Sequence, residues 1–451
     1  MKPKSKSKSR REFIGDAAAL GALGAIGAGH LLSSCQAKRE RYEMPGFLDK
    51  APDGRPLKAG LIGCGGRGTG AAFNFLNAGN DLQITALGDV FQDRLDIARN
   101  SLKEKRDIDI PDQNCFVGFD AYKRVMDTDV DVVLLTTPPH FRPEHFNAAV
   151  QARKHAFVEK PVSVDPVGSR LVMASAKMAD SAGLSVIAGT QLRHSRILNA
   201  TFAMLKNGAM GRITGGEAHR LSGGSSRVPV IPEEWCEMEE MLRNWTSWNW
   251  LSGNTWVENF VHHIDVLNWF FEAFPSEAVG LGGRYRRNYG DGFNFFSVEF
   301  SFGGSKKYNC ISRGMSGAYT RPWGHMIYGT KGYTNCTGQI WDYDDNLIWE
   351  YEYPLDEDGQ PVRSLYSSIP VTMTDQSHIN LVTAIRTNNP VNEAHAMASS
   401  SLVAIMGRES AYTGQLVTWD DMMNSELRLG PTEYKMGSVN IPKDPPIPGR
   451  D

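Results

Sequence analysis

Cysteine is scarce in this chain. The six that occur stand far apart, at positions 35, 64, 115, 236, 310 and 336, with no C-x-x-C pair. That spacing indicates neither a zinc site nor a disulfide framework, although it leaves a single bridge open. Long apolar runs are missing too. The longest mildly apolar stretch, residues 17–32, is rich in Ala and Gly and too short for a good membrane span. No internal repeat is visible. Neither sign of charge dominates: 48 Lys and Arg face 51 Asp and Glu, for a net charge of −3. A chain so balanced is not expected to bind nucleic acid. Its 451 residues are enough for two domains with cores of their own.

The strongest positive feature is a strand that runs into glycines: Lys58-Ala-Gly-Leu-Ile-Gly63-Cys-Gly65-Gly66-Arg67-Gly68. It reads G-x-G-x-x-G after a short apolar run, and a helical stretch from Thr69 to Ala78 follows. Asp89 closes a second apolar run, Leu82 to Val90, where a dinucleotide fold places its ribose acid. Gly63 permits the tight turn, Gly65 lets the backbone approach a pyrophosphate, and Gly68 lets helix and strand pack closely. The helix start, with Gly66 and Arg67, offers free N–H groups and a positive dipole end to the phosphates. A carboxylate at Asp89 accepts ribose hydroxyls and repels a 2′-phosphate, so NAD is expected rather than NADP. A glycine-rich turn without a ligand is the bland alternative.

From Leu57, strands (58–62, 82–88, 131–136, 155–158, 184–188) alternate with helices (69–78, 91–104, 119–127, 143–152, 165–182), the rhythm of a doubly wound parallel sheet. After about residue 190, strand-like segments follow one another at 212–221, 277–286, 293–302, 306–314, 324–330 and 346–353, and antiparallel pairing is expected. Helices return at 375–388 and 394–413. The expected fold class is α/β: an N-terminal Rossmann domain over 57–190, then an α+β domain over 191–430 with a large, mainly antiparallel open sheet. Residues 431–451, rich in Pro, read as an extended tail. The site should lie between the domains.

The first residues pull in another direction. Lys2, Lys4, Lys6, Lys8, Arg10 and Arg11 precede the Ala/Gly-rich run, and Leu32-Ser-Ser-Cys35 follows it. A basic region, a short apolar region and small residues make a secretory signal. Ser9-Arg-Arg-Glu-Phe-Ile14 resembles the twin-arginine class, and Leu32–Cys35 resembles a lipobox. Residues 1–34 are thus expected to be removed, Cys35 to carry a lipid as the one link to a membrane, and 35–56 to act as a tether. The mature chain would then be periplasmic and carry a charge near −7. Since free NAD is not supplied there, the cofactor is expected to be tightly bound and recycled in place.

Three motifs fall into one order: the glycine loop, Glu159-Lys160-Pro161 at the end of a later strand, and Glu258-Asn-Phe-Val-His262-His263-Ile-Asp265 in the second domain. Together they resemble the glucose–fructose oxidoreductase / inositol dehydrogenase (Gfo/Idh/MocA) superfamily, over about Leu57 to Trp419. The resemblance implies that Lys160 donates to a substrate hydroxyl near the nicotinamide. It implies that His262 moves the hydroxyl proton, a role that suits an imidazole. Glu258 stands where the family carries Asp and Phe260 where it carries Gly, which puts the usual polyol substrate in question. Residues 257–271 read as one amphipathic helix, with Glu258, His262 and Asp265 together opposite the apolar stripe. That face could instead hold a metal, though one helix supplies few ligands, and no metal is expected.

Thr137, Pro138 and His140 end a strand and are expected beside the nicotinamide with Glu159, although His140 could equally cap a loop. Arg193 and His194 follow the domain crossover. Arg193 either binds substrate or joins the domains. His263 is a substrate-side candidate or a packed core histidine. Trp245, Trp248, Trp250 and Trp256 crowd the stretch before the helix. Indole can stack on a sugar, and Trp256 is carried as a candidate, against the core role such clusters usually have. The leading expectation is an NAD-dependent oxidoreductase for a sugar, working as a homodimer or homotetramer. One alternative is NAD-dependent glycoside cleavage through transient oxidation at carbon 3, since no carboxylate pair is assignable to ordinary hydrolysis. A further one is a non-catalytic, nucleotide-retaining sugar-binding lipoprotein.

Overall fold

The computed structural model describes residues 41–222, 229–285, 289–314, 324–367 and 370–449. The expected signal and Cys35 lie outside the described residues. The first sheet is parallel throughout. β1 (Leu57–Ile62), β2 (Leu82–Asp89), β3 (Cys115–Val117), β4 (Val132–Leu135), β5 (His155–Val158) and β6 (Val186–Ala188) lie in the order β3-β2-β1-β4-β5-β6. The order reverses between β1 and β4, which opens a crevice outside the strands' carboxyl ends. β4 reads Val-Val-Leu-Leu and is buried at all four positions, as a strand covered on both faces requires. The covering helices obey local rules. Pro166–Ser181 starts on a proline, and its cap Asp165 accepts the Gly168 N–H at 2.7 Å. The expected elements match these within a few residues, except that β3, a three-residue edge strand, was not expected.

The second sheet has nine strands. They are β7 (Ile213–Ser222), β8 (Glu277–Gly283), β9 (Phe295–Ser301), β10 (Lys307–Gly314), β11 (Gly324–Gly329), β12 (Tyr333–Thr334), β13 (Gln339–Trp341), β14 (Leu347–Glu350) and β15 (Val417–Thr418). Their order is β14-β13-β12-β11-β7-β10-β9-β8-β15, antiparallel but for the parallel pair β7–β10. A parallel pair needs a long crossover, and helices Glu237–Arg243, Asn249–Ser252 and Val261–Phe271 provide it. Of these, Val261–Phe271 falls within the helix expected over 257–271, whereas Glu237–Arg243 and Asn249–Ser252, like Arg196–Lys206 before them, were not expected. Val261–Phe271 and Ala394–Thr413 pack on one sheet face. The other face leaves Val279, Leu281, Phe295 and Ile311 exposed, Leu281 at 71%.

Two segments read as loose are docked. In the expected tether, Ala51 is buried and its N–H bonds Ala78 O at 2.8 Å. In the expected tail, Val439 is buried and its N–H bonds Glu237 at 2.7 Å. Helix Met373–Arg386, placed by the sequence in the second domain, buries Ile379, Leu381 and Val382 in the nucleotide domain's core.

Buried histidines set the acid limit of this fold. Burial pushes His140 and His145 down to about 3, and His325 and His378 to about 4, from an ordinary value of 6.5. The folded rings stay neutral while the unfolded ones take protons below 6.5. Their contribution to stability is therefore complete above that value and lost as pH falls toward the folded values. The urea midpoint should fall steadily from about pH 6.5 to about pH 4. A midpoint that stayed level over that window would mean the rings charge in place.

Candidate active site and dinucleotide cavity

The glycine loop is built on missing side chains. Gly63 sits at φ +97°, and a Cβ there would meet Thr137 N at 2.7 Å. A Cβ on Gly68 would come within 1.8 Å of Gly63 O. Around Gly65 and Gly66 the opposite holds, since a Cβ would meet nothing within 4 Å. That open cradle starts helix Gly66–Asn77, which has no side-chain cap, so its first N–H groups face the space. Room, free donors and a positive helix end fit a pyrophosphate. Gly63, Gly65, Gly66, Asp89, Thr137 and Pro138 line one cavity. Asp89 is held there by the N–H groups of Cys64 (2.6 Å) and Phe91 (2.9 Å). Each oxygen keeps acceptor capacity for a ribose hydroxyl.

Other walls of this cavity were not expected. Phe91, Arg94, Leu242, Arg243 and Trp245 line it. The Arg243 guanidinium lies 4.0 Å from the Phe91 ring centroid, bonds both Asp93 oxygens at 2.9 and 3.0 Å, and bonds Glu239 at 2.8 Å. It thus fastens helix Glu237–Arg243 to the turn after β2. Of the tryptophan cluster, Trp245 faces the dinucleotide cavity, whereas Trp248 and Trp250 are buried. The only sequence hint was the density of indoles.

Beyond β5 the chain delivers Lys160 to the second domain. Lys160 Nζ donates to the Glu258 carboxylate and to the Glu258 carbonyl oxygen, both at 2.7 Å. The two side chains are 14% and 15% exposed, so the pair is largely shielded without being sealed. Trp256–Phe260 form a π-helical turn and Val261–Phe271 an α-helix, where one continuous helix was expected. His262, one turn beyond Glu258, has no hydrogen-bond partner among the described residues, and its Nδ1 is buried. Burial first, then the charges of Lys160 and Arg220, hold its proton affinity well below the ordinary value of 6.5. It is therefore a neutral, unengaged base. Arg220, on β7, reaches the same turn through Asn259 Oδ1 at 2.9 Å.

Several candidates serve the frame instead of a ligand. Arg67 bonds Glu159 at 2.6 Å, and buried Glu159 also takes the Lys160 N–H at 3.0 Å. This pair braces the lysine's base, and neither side chain lines the cavity. His140 is buried behind the cavity, with its Nε2 2.7 Å from the Tyr434 hydroxyl and its ring against Trp250. Arg193 holds Asp265 by two bonds of 2.7 and 2.9 Å, and Ser400 donates to the same carboxylate at 2.8 Å. That is the domain-joining reading of Arg193, and it removes Asp265 from the substrate face. His194 lies 2.9 Å from Asn380 and 3.5 Å from Glu393. His263 is buried against His325 at 3.0 Å, the core reading. Trp256 is fully buried, bonds Ala404 O at 2.8 Å and stacks on Phe260 at 4.6 Å. An indole so enclosed cannot meet a sugar. Among the described residues, no group of three or more His, Cys, Asp or Glu side chains is arranged to hold a metal.

A glycine cradle at the switch point of a doubly wound sheet, with a lysine and a neutral histidine nearby, defines a class: two-domain proteins that bind a nicotinamide dinucleotide. Residues 57–188 match the family described as "Oxidoreductase family, NAD-binding Rossmann fold" (GFO_IDH_MocA). The match covers the nucleotide domain, which is of the NAD-binding Rossmann type of that family. It is 34% identical over 165 residues to a glycosyl hydrolase family 109 protein of Streptomyces coelicolor, covering 35% of this chain and 34% of that one. It is 24% identical over 230 residues to an inositol 2-dehydrogenase of Acidothermus cellulolyticus, covering 51% and 58%. The chain thus spans from a third to somewhat over half the length of these relatives. In fold it is similar to the solved structure of scyllo-inositol dehydrogenase from Lactobacillus casei with bound cofactor NAD(H) and scyllo-inositol. The TM-score there is 0.59 at 18% identity, over 81% of this chain and 99% of that one.

Proposed function

We propose that this chain is an NAD-dependent oxidoreductase acting on a sugar or sugar derivative, with the cofactor kept in the cavity and recycled. The observation that carries the reading is the junction of Lys160, Glu258 and unengaged His262 in the crevice between the domains. NAD supplies the acceptor, and later the donor, of one hydride. Lys160 donates to the reacting hydroxyl oxygen and stabilises the charge that grows on it. His262 takes the hydroxyl proton while the hydride leaves the same carbon, and returns that proton to the carbonyl oxygen of a second sugar or keto compound when the hydride is given back. Electrons and protons then balance without an external oxidant.

Retention is supported by the wall of Leu242, Arg243 and Trp245. An Arg243→Ala change removes both the ring contact and the Asp93 bonds. It should raise the cofactor's dissociation rate on the order of tenfold or more, read as NAD lost on desalting. Unchanged occupancy would assign retention to other contacts. The reading as a whole is tested by mass spectrometry of small molecules ejected from purified protein, and by assaying sugar pairs without added NAD. Turnover only with free NAD would defeat recycling.

Glycoside cleavage is the second reading, favoured by the family 109 relative. Transient oxidation at carbon 3 acidifies the neighbouring C–H, elimination expels the aglycone, water adds and the hydride returns. Solvent deuterium appearing at carbon 2 of the product from aryl glycosides would select it. We further propose export by the twin-arginine route, anchoring through Cys35, and self-association through the exposed apolar face around Leu281.

A further inference from the structure

The crevice holds more positive charge than its carboxylate balances. Arg220 stands on β7, where Gly216 faces the side chains of Leu267 and Phe271. Strand alternation sends Ala218 and Arg220 to that same helix-covered side. The Arg220 guanidinium donates to Asn259 Oδ1 at 2.9 Å, a neutral acceptor. No salt bridge forms on it among the described residues. The carboxylate beside it, Glu258, is committed to Lys160 at 2.7 Å, and His262 is neutral. Two cations therefore face one carboxylate in a half-buried space. A shielded charge without a counterion is costly, so a cation kept beside reactive groups points to a ligand that brings the opposite charge.

We propose that the sugar substrate of this site carries a carboxylate, as in a hexuronic acid, and that Arg220 binds it and sets specificity. This rests on the reading of the crevice as a sugar oxidoreductase site. A guanidinium presents paired donors in the plane of a carboxylate. Asn259 adjoins Glu258, so an acid group held by Arg220 sits on the turn that carries Lys160's partner. The hydroxyl addressed by Lys160 and His262 would then belong to the same small ring.

The test is calorimetric binding of D-glucuronate and D-galacturonate, each against its neutral aldose, to the NAD-loaded protein, with nicotinamide reduction followed by absorbance. Each uronate should bind ten- to a hundredfold more tightly, on the order expected for a charged hydrogen-bonded pair. Arg220→Gln should erase the preference and leave the NAD content unchanged, and Arg220→Lys should keep part of it. Equal binding of acid and neutral sugar by the unmodified protein overturns the inference, whatever the variants do. So does a preference that survives Arg220→Gln. The underlying reading fails separately. Uronates that bind selectively without reducing the nicotinamide would leave Arg220's role standing and remove the redox assignment. Neutral sugars that bind as well and reduce it would do the reverse.

Discussion

Replacing His262 with alanine should slow reduction of the bound nicotinamide by a sugar on the order of a hundred- to ten-thousandfold, with the NAD content unchanged. The imidazole is not among the residues lining the dinucleotide cavity, so its loss should spare the cofactor. Its state at neutral pH follows from its surroundings. Burial, Lys160 and Arg220 all favour the neutral ring, and a neutral ring can accept a proton. The single-turnover rate should therefore hold level as pH falls through 6.5, with its acid limb lower still. Lys160→Met tests the coupling. It removes one of the two cations, so the acid limb should move up toward 6.5 while the rate falls. A limb that stayed in place would mean that another group takes the proton. A His262→Ala protein with full activity would remove the residue from the mechanism.

Much of this site could be read beforehand, and the reason is local. Gly63 and Gly68 are dictated by a positive φ and by a backbone contact within six residues of chain. The strand periods of β1, β2 and β4 are equally local. Lys160 and His262 came from motif order. What escaped notice depends on distant partners. Helical spacing grouped Asp265 with Glu258 and His262, but a π turn over Trp256–Phe260 carries fewer degrees per residue and shifts the face on which Glu258 stands. Asp265 then answers to Arg193, 72 residues away in the chain. The Arg243 latch requires residues 237–245 to fold back on the turn after β2, a contact across 150 residues. Arg220 shows the same limit. Alternation names its face, but only the fold brings Asn259 to its tip.

Asp265→Ala should be the most destabilising change at this site, on the order of 3 kcal/mol, at the lower end for breaking a buried ion pair. The carboxylate is fully buried and takes three hydrogen bonds, two from Arg193 and one from Ser400. Removing it strands a guanidinium that is only 20% exposed and leaves the Ser400 hydroxyl without its acceptor. Removing both charges is a different matter, because an apolar pair of similar volume avoids the desolvation of either ion. The double variant Arg193→Met, Asp265→Leu should recover most of the loss, and the cycle would give the coupling between the two residues directly. Urea midpoints of the four proteins make the measurement, with the Michaelis constant of each as the companion readout. A structural pair moves the midpoint of Asp265→Ala and leaves the Michaelis constant of the surviving folded protein near its original value. A substrate ligand does the opposite. Were Asp265→Ala to keep its midpoint and lose affinity for sugar, the carboxylate would have to turn from Arg193 to the substrate on binding, and the domain junction would have to be held elsewhere, with buried Arg408 and its 2.8 Å bond to Val164 O the next place to look.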